Sequence, residues 1–526
     1  MQIRSEGNAQ NPMGDNQTLG RIAHSTGLNM ISQVMIRLFS FLVNAIIIRF
    51  VSLNYIGIVN VRLTLLSTSI LFLSREPMRK VCLDKGKEDW KSVCQLAWLC
   101  VPIGAFISLV LCFIWIYVLP DPNIPFYTPA VFIYAIAALI CLTSEPFYIF
   151  TQLSLNTNIK VFVESEALFV RSVLNCLLLA LFPSLRLVAF CLSELIYSLL
   201  YPILYLWKLR QLMNAPDSDA LHAHSLHAFR PVFQPVPAGS MRLVLLFFKQ
   251  SFLKQLLTEG EKYLLSFSSV SMHDQGIYEI VNNLGSLFAR FLFQPLEEGA
   301  YLFFSQASTR GQNQGQQAST VCVLLLRCLC YFGSLVVTFG YSFASALLFL
   351  YGGASLATPV AVRMFRLYCV YVLLLGVNGT SEAFFMATAP TETLTQYNRK
   401  MVFFSVVFVV VSFLLTYPRL SRWYIVANCV NMLCRCVHHL LYIRRVVDSF
   451  SLARITPSLP WLSALLAVGC GLAYEEAALF PYTLRRLLIH LLVGVTTGVA
   501  MLGALVVCDR ATLQRAKELL WKNKSE

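Results

Sequence analysis

Charge is scarce in this chain. Only 13% of its 526 residues are Asp, Glu, Lys or Arg, while 57% are hydrophobic. A soluble domain carries about a quarter charged residues, so the balance excludes an ordinary water-soluble globule. No G-x-x-x-x-G-K-[ST] loop occurs, and with it any built-in ATP motor is lacking. Zinc-protease and Ser/His/Asp patterns are missing too, and the one D-x-D, Asp217-Ser218-Asp219, falls in a stretch read as cytosolic, so an enzyme is disfavoured. The sixteen cysteines contain no C-x-x-C and lie mostly in apolar runs, where they act as small packing residues. Cys434, Cys436, His438 and His439 cluster, but i, i+2 positions diverge around a helix. His222, His224 and His227 sit in a polar stretch. Neither group is read as a metal site, and no cofactor is expected. Residues 1–27 are polar, and the apolar run after them is too long and too polar for a cleavable signal peptide. The first helix is expected to be its own insertion signal.

What is abundant is long hydrophobic runs. A bilayer span needs roughly 20 apolar residues, and fourteen stretches qualify: 28–50, 55–74, 93–118, 127–150, 161–182, 187–207, 243–270, 277–304, 320–350, 361–389, 399–417, 423–443, 461–480 and 484–508. The fold class expected is an all-α polytopic membrane protein of about 14 transmembrane helices. Segments read as N-terminal-side loops hold about 24 Lys and Arg, against about three (Arg186, Arg419, Arg422) on the other side. This positive-inside asymmetry puts both termini, 1–27 and 509–526, in the cytosol. It also explains the net charge of +14 without nucleic acid. The tail Lys522-Asn523-Lys524-Ser525-Glu526 fits a dilysine retrieval signal for the endoplasmic reticulum, and the sequons at Asn16, Asn378 and Asn523 are expected to stay unglycosylated.

Two sequence echoes organise the spans. Thr143-Ser-Glu-Pro-Phe-Tyr148 is answered by Thr380-Ser-Glu-Ala-Phe-Phe385; Gly57-Ile58 and Pro77 are answered by Gly276-Ile277 and Pro295. Both shift by six spans. The economical organisation is two six-helix lobes of like orientation, 28–207 and 243–443, joined by a cytosolic linker 208–242, with a loop and two helices appended at 444–508. Lobes related by an axis along the membrane normal enclose a central hydrophilic cavity.

Polar stripes agree with a cavity. Asn29, Gln33, Arg37, Ser40 and Asn44 recur at helical spacing on the first span. Gln250, Lys254, Thr258, Glu261 and Lys262 do so on the seventh, and Glu279, Asn282, Asn283, Ser286, Arg290, Gln294 and Glu297 on the eighth. An arginine at mid-bilayer costs roughly 2.5–3.5 kcal/mol on insertion scales, so it should face water or a partner. Arg37, Arg62, Arg290, Lys254, Lys262, Asn282 and Asn29 are therefore candidate substrate contacts. Arginine forks suit a diphosphate. Arg75, Glu76, Glu297, Glu298, Glu145, Glu382 and Glu259 are candidate gating or inter-lobe residues.

The run Lys249-Gln-Ser-Phe-Leu-Lys-Gln-Leu-Leu-Thr-Glu-Gly-Glu-Lys-Tyr263 is distinctive. So are Asp274-Gln-Gly-Ile-Tyr278 continuing to Leu287, Val59-Asn-Val-Arg-Leu-Thr-Leu-Leu66 and Phe72-Leu-Ser-Arg-Glu76. With these segments the chain resembles the eukaryotic Rft protein family, of the multidrug/oligosaccharidyl-lipid/polysaccharide flippase superfamily that also holds the bacterial lipid II flippase. The resemblance implies two lobes that rock between cytosol-open and lumen-open states. It implies as substrate and partner a dolichyl diphosphate bearing five mannoses and two N-acetylglucosamines, moved within the endoplasmic-reticulum membrane for N-glycosylation, with arginines of spans 1, 2 and 8 (Arg37, Arg62, Arg290) on the diphosphate. Membrane lipids surround it; partners in the glycosylation machinery are not specified. Two alternatives stand beside the transporter: an accessory protein that binds the lipid-linked oligosaccharide without moving it, and a cation-coupled exporter, against which buried arginines count.

Overall fold

The computed structural model describes residues 39, 41–84, 90–154, 156–214, 226–231, 238–268, 270–309, 312–416, 423–447, 450–480, 482–509 and 514. Among these there is no strand. A bilayer offers the backbone no hydrogen-bond partner, so a spanning segment must satisfy its own amides, as a helix does. The helices are α1 (Phe41–Phe50), α2 (Leu53–Leu83), α3 (Trp90–Val118) and α4 (Tyr127–Leu153). They continue as α5 (Thr157–Leu181), α6 (Leu187–Met213) and α7 (Ala238–Phe267). Helix α8 is Met272–Phe288 running on through Ala289–Phe293 and Gln294–Thr309; α9 is Gln312–Ser342, followed by a short helix Ala344–Gly352. Then come α10 (Pro359–Thr388), α11 (Thr391–Thr416), α12 (Trp423–Val446), α13 (Leu459–Leu479) and α14 (Leu484–Cys508). Eight helices among the described residues are long and apolar enough to cross a bilayer: α2, α3, α4, α6, α9, α10, α13 and α14. Helices α7 and α8 fall outside that group because polar stripes interrupt their apolar runs. Residues 28–38 of the first predicted span lie outside the described residues.

Proline chemistry separates the two echoed hexapeptides. In α4 the helix stops at Leu142, turns at Thr143 and Ser144, and restarts at Glu145 with Pro146 in its first turn. Proline has no N–H and its ring clashes with the carbonyl four residues back, so it is best placed in the first turn of a new helix, where Pro146 stands. The counterpart of Pro146 is Ala383, and α10 runs straight through it. Pro77 behaves differently. The second span is predicted to end at 74, with Ser74-Arg75-Glu76-Pro77 as its charged close, yet α2 continues past Pro77 to Leu83. A stop signal in sequence is overridden here because the last turns bury Met78, Val81 and Cys82 completely.

The chain falls into two compact units. Unit 1 comprises 1–50, 66–118 and 123–255; unit 2 comprises 51–65, 119–122 and 256–526. The division passes through α2 and α7.

Unit 1 has an aromatic core at the start of α3 and the end of α4. Trp90 meets Phe150 and Phe229 edge-on, at ring-centroid distances of 5.2 and 5.1 Å. Phe229 belongs to a 3-10 turn, Leu226–Phe229, in the segment read as linker. Two indoles hold that turn by its backbone: Trp90 Nε1 donates to Ala228 O at 3.1 Å and Trp98 Nε1 to Phe229 O at 2.9 Å. Removing a buried phenyl ring leaves a cavity worth about 3–5 kcal/mol. Phe229→Ala is therefore expected to loosen this turn and speed proteinase K cleavage around 226–231. An unchanged digest would show that the indole bonds suffice.

In unit 2, the start of α2 crosses α8 at a pair of glycines. A methyl on Gly57 would overlap the Met272 carbonyl oxygen, and one on Gly276 would overlap that of Leu53. Each glycine thus meets the backbone oxygen four residues ahead of the other. These are the glycines of the second sequence echo, and their contact is reciprocal. Just beyond, Gly57–Leu63 widens into a π-helix, and the Thr64 hydroxyl donates to the Val59 carbonyl at 2.8 Å. Helices α13 and α14 are pinned within unit 2 by ion pairs to buried carboxylates. Arg366 binds Glu476 at 2.6 Å and Arg327 binds Asp509 at 2.6 Å, while Ser345 also donates to Glu476.

Candidate functional site

In unit 1 the α2 end is a knot of ion pairs. Arg79 donates from Nε and an Nη to both oxygens of Glu145 at 2.7 Å each, and its guanidinium lies 3.6 Å from the Tyr148 ring centroid. Arg75 adds a longer pair to Glu145 at 3.7 Å. Glu145 is wholly buried, so the fork of Arg79 supplies the geometry a desolvated carboxylate needs. One turn away, Glu76 pairs with Lys80 at 3.6 Å and accepts a hydrogen bond from Lys254 of α7 at 3.3 Å. The Lys254 side chain is 58% exposed, the most accessible cation of the group.

Unit 2 gathers the later part of the α7 stripe and the stripe of α8. The Asn428 amide of α12 donates to Glu261 at 2.5 Å and to the Tyr278 hydroxyl at 3.2 Å. Asn283 donates to Glu279 at 3.2 Å, and the Tyr368 hydroxyl donates to Asn282 at 2.8 Å. Lys262 pairs with Glu259 at 3.1 Å. Arg62, on the π-helical stretch, is wholly buried. It donates to Pro120 O at 2.6 Å and Ser266 O at 3.3 Å, holding the 119–122 turn against the end of α7. A guanidinium there meets carbonyls at a helix C-terminus, where positive charge is favoured.

The sequence-predicted residues therefore divide. Lys254 and Glu76 meet in unit 1, as do Arg75 and Glu145; Lys262 and Glu259 meet in unit 2. Glu298 accepts from Gln294 at 3.1 Å, and Glu382 from Asn378 at 3.0 Å. Glu297 lies against Gly379 of α10. Each described gating candidate thus has a neighbour in its own unit. Asn29 and Arg37 lie outside the described residues; the Arg290 backbone sits in the Ala289–Phe293 segment and its side chain is outside the described set.

Two features escaped sequence reasoning. Arg79 looks like one more loop charge after a proline, yet it is the main partner of Glu145. Helix α12 carries its own stripe, Asn428, Asn431, Arg435 and His438/His439, at i, i+3, i+4 spacing. That signal was available in sequence and was masked by the neighbouring cysteines. Cys436 donates to Leu374 O of α10, whereas His438 lies 3.4 Å from Lys400 of α11, so the two side chains do diverge.

These features define a class: an all-helical polytopic membrane protein with ion pairs and polar stripes inside apolar helices. Its fold is similar to that of two solved membrane transporters. A structure titled lipid II flippase MurJ, inward closed conformation, superposes with a TM-score of 0.62 at 11% identity, covering 91% of this chain and 98% of that one. An inward-facing multidrug resistance MATE family transporter gives 0.57 at 12% identity, over 79% and 96%. Within that class the chain belongs to the Rft protein family, whose sequence profile matches residues 21–519. Relatives include the Man(5)GlcNAc(2)-PP-dolichol translocation proteins RFT1 of Mus musculus, 38% identical over 93% of this chain and 96% of that protein, and of Xenopus tropicalis, 36% over 95% and 96%. That of Saccharomyces cerevisiae is 25% identical over 96% and 97%.

Proposed function

We propose that this chain moves dolichyl diphosphate carrying five mannoses and two N-acetylglucosamines from the cytosolic to the luminal leaflet of the endoplasmic reticulum. The observation that carries this reading is the near end-to-end match to relatives named for translocation of that glycolipid. In this reading fourteen spans form two six-helix lobes, 28–207 and 243–443, around a central cavity, with 208–242 as linker and both termini cytosolic. The reciprocal Gly57–Gly276 contact supports a repeat of that period.

Arg37, Arg290, Lys254 and Asn29 hold the diphosphate and the first sugar. Lys254 is the described member best suited, since its own side chain is 58% exposed and its ion-pair partner Glu76 is a carboxylate that a diphosphate can outcompete. Arg62, Lys262 and Asn282 are further candidate contacts, each already bonded to protein. Arg75, Glu76, Glu145, Glu259, Glu297, Glu298 and Glu382 set the closed ends. Cargo must bind the two open states unequally to bias their exchange.

The test is reconstitution of purified protein in liposomes with a tagged diphosphodolichol glycan, following its protection from an external reagent. Protein-dependent movement that falls at least tenfold in Arg290→Ala and Lys254→Ala, at normal protein level, is expected. Specific binding without movement would replace translocation by an accessory, glycolipid-holding role.

A further inference from the structure

After α12 the chain doubles back. Val447 is buried, Phe450 N donates to Val447 O at 2.9 Å, and a single helical turn, Leu452–Ile455, follows with Ile455 buried as well. Ile443, Val447 and Ile455 pack with Cys322 and Leu326 of α9, and Arg327 of α9 donates to the Arg454 carbonyl at 3.3 Å. The returning segment is thereby fixed to unit 2 on its inner side. Between this segment and α12 lies a groove of about 340 Å³, within the roughly 300–1,000 Å³ of small-ligand sites.

The groove changes character along its length. Val437, Leu440 and Leu441 of α12 form one wall, and Phe450 and Leu452 face them. Val437, Leu441 and Leu452 are 47, 50 and 59% exposed, so the apolar part is open to the bilayer. Arg444 also lines the groove, seven residues past Val437 on the same helix face, which is about 10 Å along the axis. Ser451 lines it from the returning segment; its Oγ accepts from Ala453 N at 3.3 Å, which leaves the hydroxyl hydrogen to donate. Among the described residues Arg444 makes no ion pair, and neither do Arg445 and Arg454, exposed on the same two segments. Asp448 lies outside the described residues. An arginine at a span end is ordinary, and snorkelling accounts for it. Snorkelling needs no second wall. Here two walls lead from bilayer-facing apolar side chains to a guanidinium and a hydroxyl, the order in which a phospholipid presents acyl chain and phosphate.

We propose that this groove holds one anionic phospholipid of the surrounding leaflet, its phosphate on Arg444 and Ser451 and one acyl chain along Val437 and Leu441. In the topology proposed above, the end of α12 is cytosolic. The cytosolic leaflet carries anionic lipid, and basic pockets between helices on that side take its head groups. The arginine fork matches phosphate oxygens in shape as well as charge. None of the residues proposed for the glycolipid diphosphate lines the groove, so the two sites are separate.

The experiment uses full-length protein in phosphatidylcholine nanodiscs containing phosphatidylinositol with a photoreactive group in its acyl chain, and maps the labelled peptides. Label is expected around 437–441 and is displaced by unlabelled phosphatidylinositol. Arg444→Ala should weaken apparent affinity about tenfold, as loss of one charge-assisted bond implies; Arg444→Lys should weaken it less. Leu441→Trp fills the groove and should remove the label although the arginine stays. Equal displacement by phosphatidylcholine would mean ordinary annular lipid. Displacement by inorganic phosphate would mean a bare anion site, and preference for a dolichyl diphosphate a cargo site. Each of these overturns the proposal, as does label unchanged in Arg444→Ala. The displacement arms use wild type, so they decide the matter even where a variant folds poorly.

Discussion

Replacing Arg79 by alanine is expected to destabilise the protein by about 3–5 kcal/mol, because it strands the wholly buried Glu145 carboxylate without its main counter-ion. Arg75 cannot substitute, since its contact with Glu145 is 3.7 Å and single. The Tyr148 ring also loses the cation packed on it. Stability on this scale is a large share of the roughly 5–15 kcal/mol that holds a folded protein. Most of the Arg79→Ala protein should therefore be lost from a monodisperse fluorescence-detected chromatography peak. Arg79→Ala with Glu145→Gln should recover much of the loss, because the stranded charge is then gone. If the double variant is no better than the single one, the damage comes from the missing arginine stem and not from the unpaired charge. Arg79→Lys is expected to fall between, since an ammonium cannot make the two-pronged bond.

A valine at Gly57 or Gly276 should be almost as severe. The atom that each new side chain would strike is a backbone carbonyl oxygen, which has no rotamer to move away with. The helices must then separate along their whole crossing, where Ile58, Val61 and Ile277 are completely buried. Overpacking of this kind costs about 1–3 kcal/mol and more where neighbours are rigid. Because the contact is reciprocal, the two single variants should be alike in Tm, and the double variant should lose less than their sum. Gly299→Ala is the control: nothing lies within 4 Å of a methyl there, and alanine is the better helix former by about 1 kcal/mol. A tolerant Gly57→Val would mean that this crossing is not held shut in the membrane.

Much of the architecture was readable before any coordinates. Long apolar runs predicted helices, and the helices start and stop within a few residues of those runs where charge or proline does not intervene. Composition alone required a membrane protein, since apolar side chains covering 57% of the residues have no core large enough to hide in. The Rft resemblance, carried by residues such as 249–263, held over the length of the chain.

Partner choice was another matter. Glu145 was readable as a charge at a span end, but its pairing with Arg79 joins residues 66 positions apart, across a proline that reads as a stop. Arg62 read as a cavity arginine, while its guanidinium is engaged by carbonyls from two distant segments. The two glycines were visible only as an echo; that they touch each other follows from how α2 crosses α8.

The sequence by itself determined that this is a helical membrane protein of the Rft family, because hydropathy and local periodicity act over one or two turns of chain and survive in any packing. Only the tertiary structure decided which charges neutralise one another. A salt bridge depends on a few ångströms between helices, and those distances are set by packing that no single segment encodes.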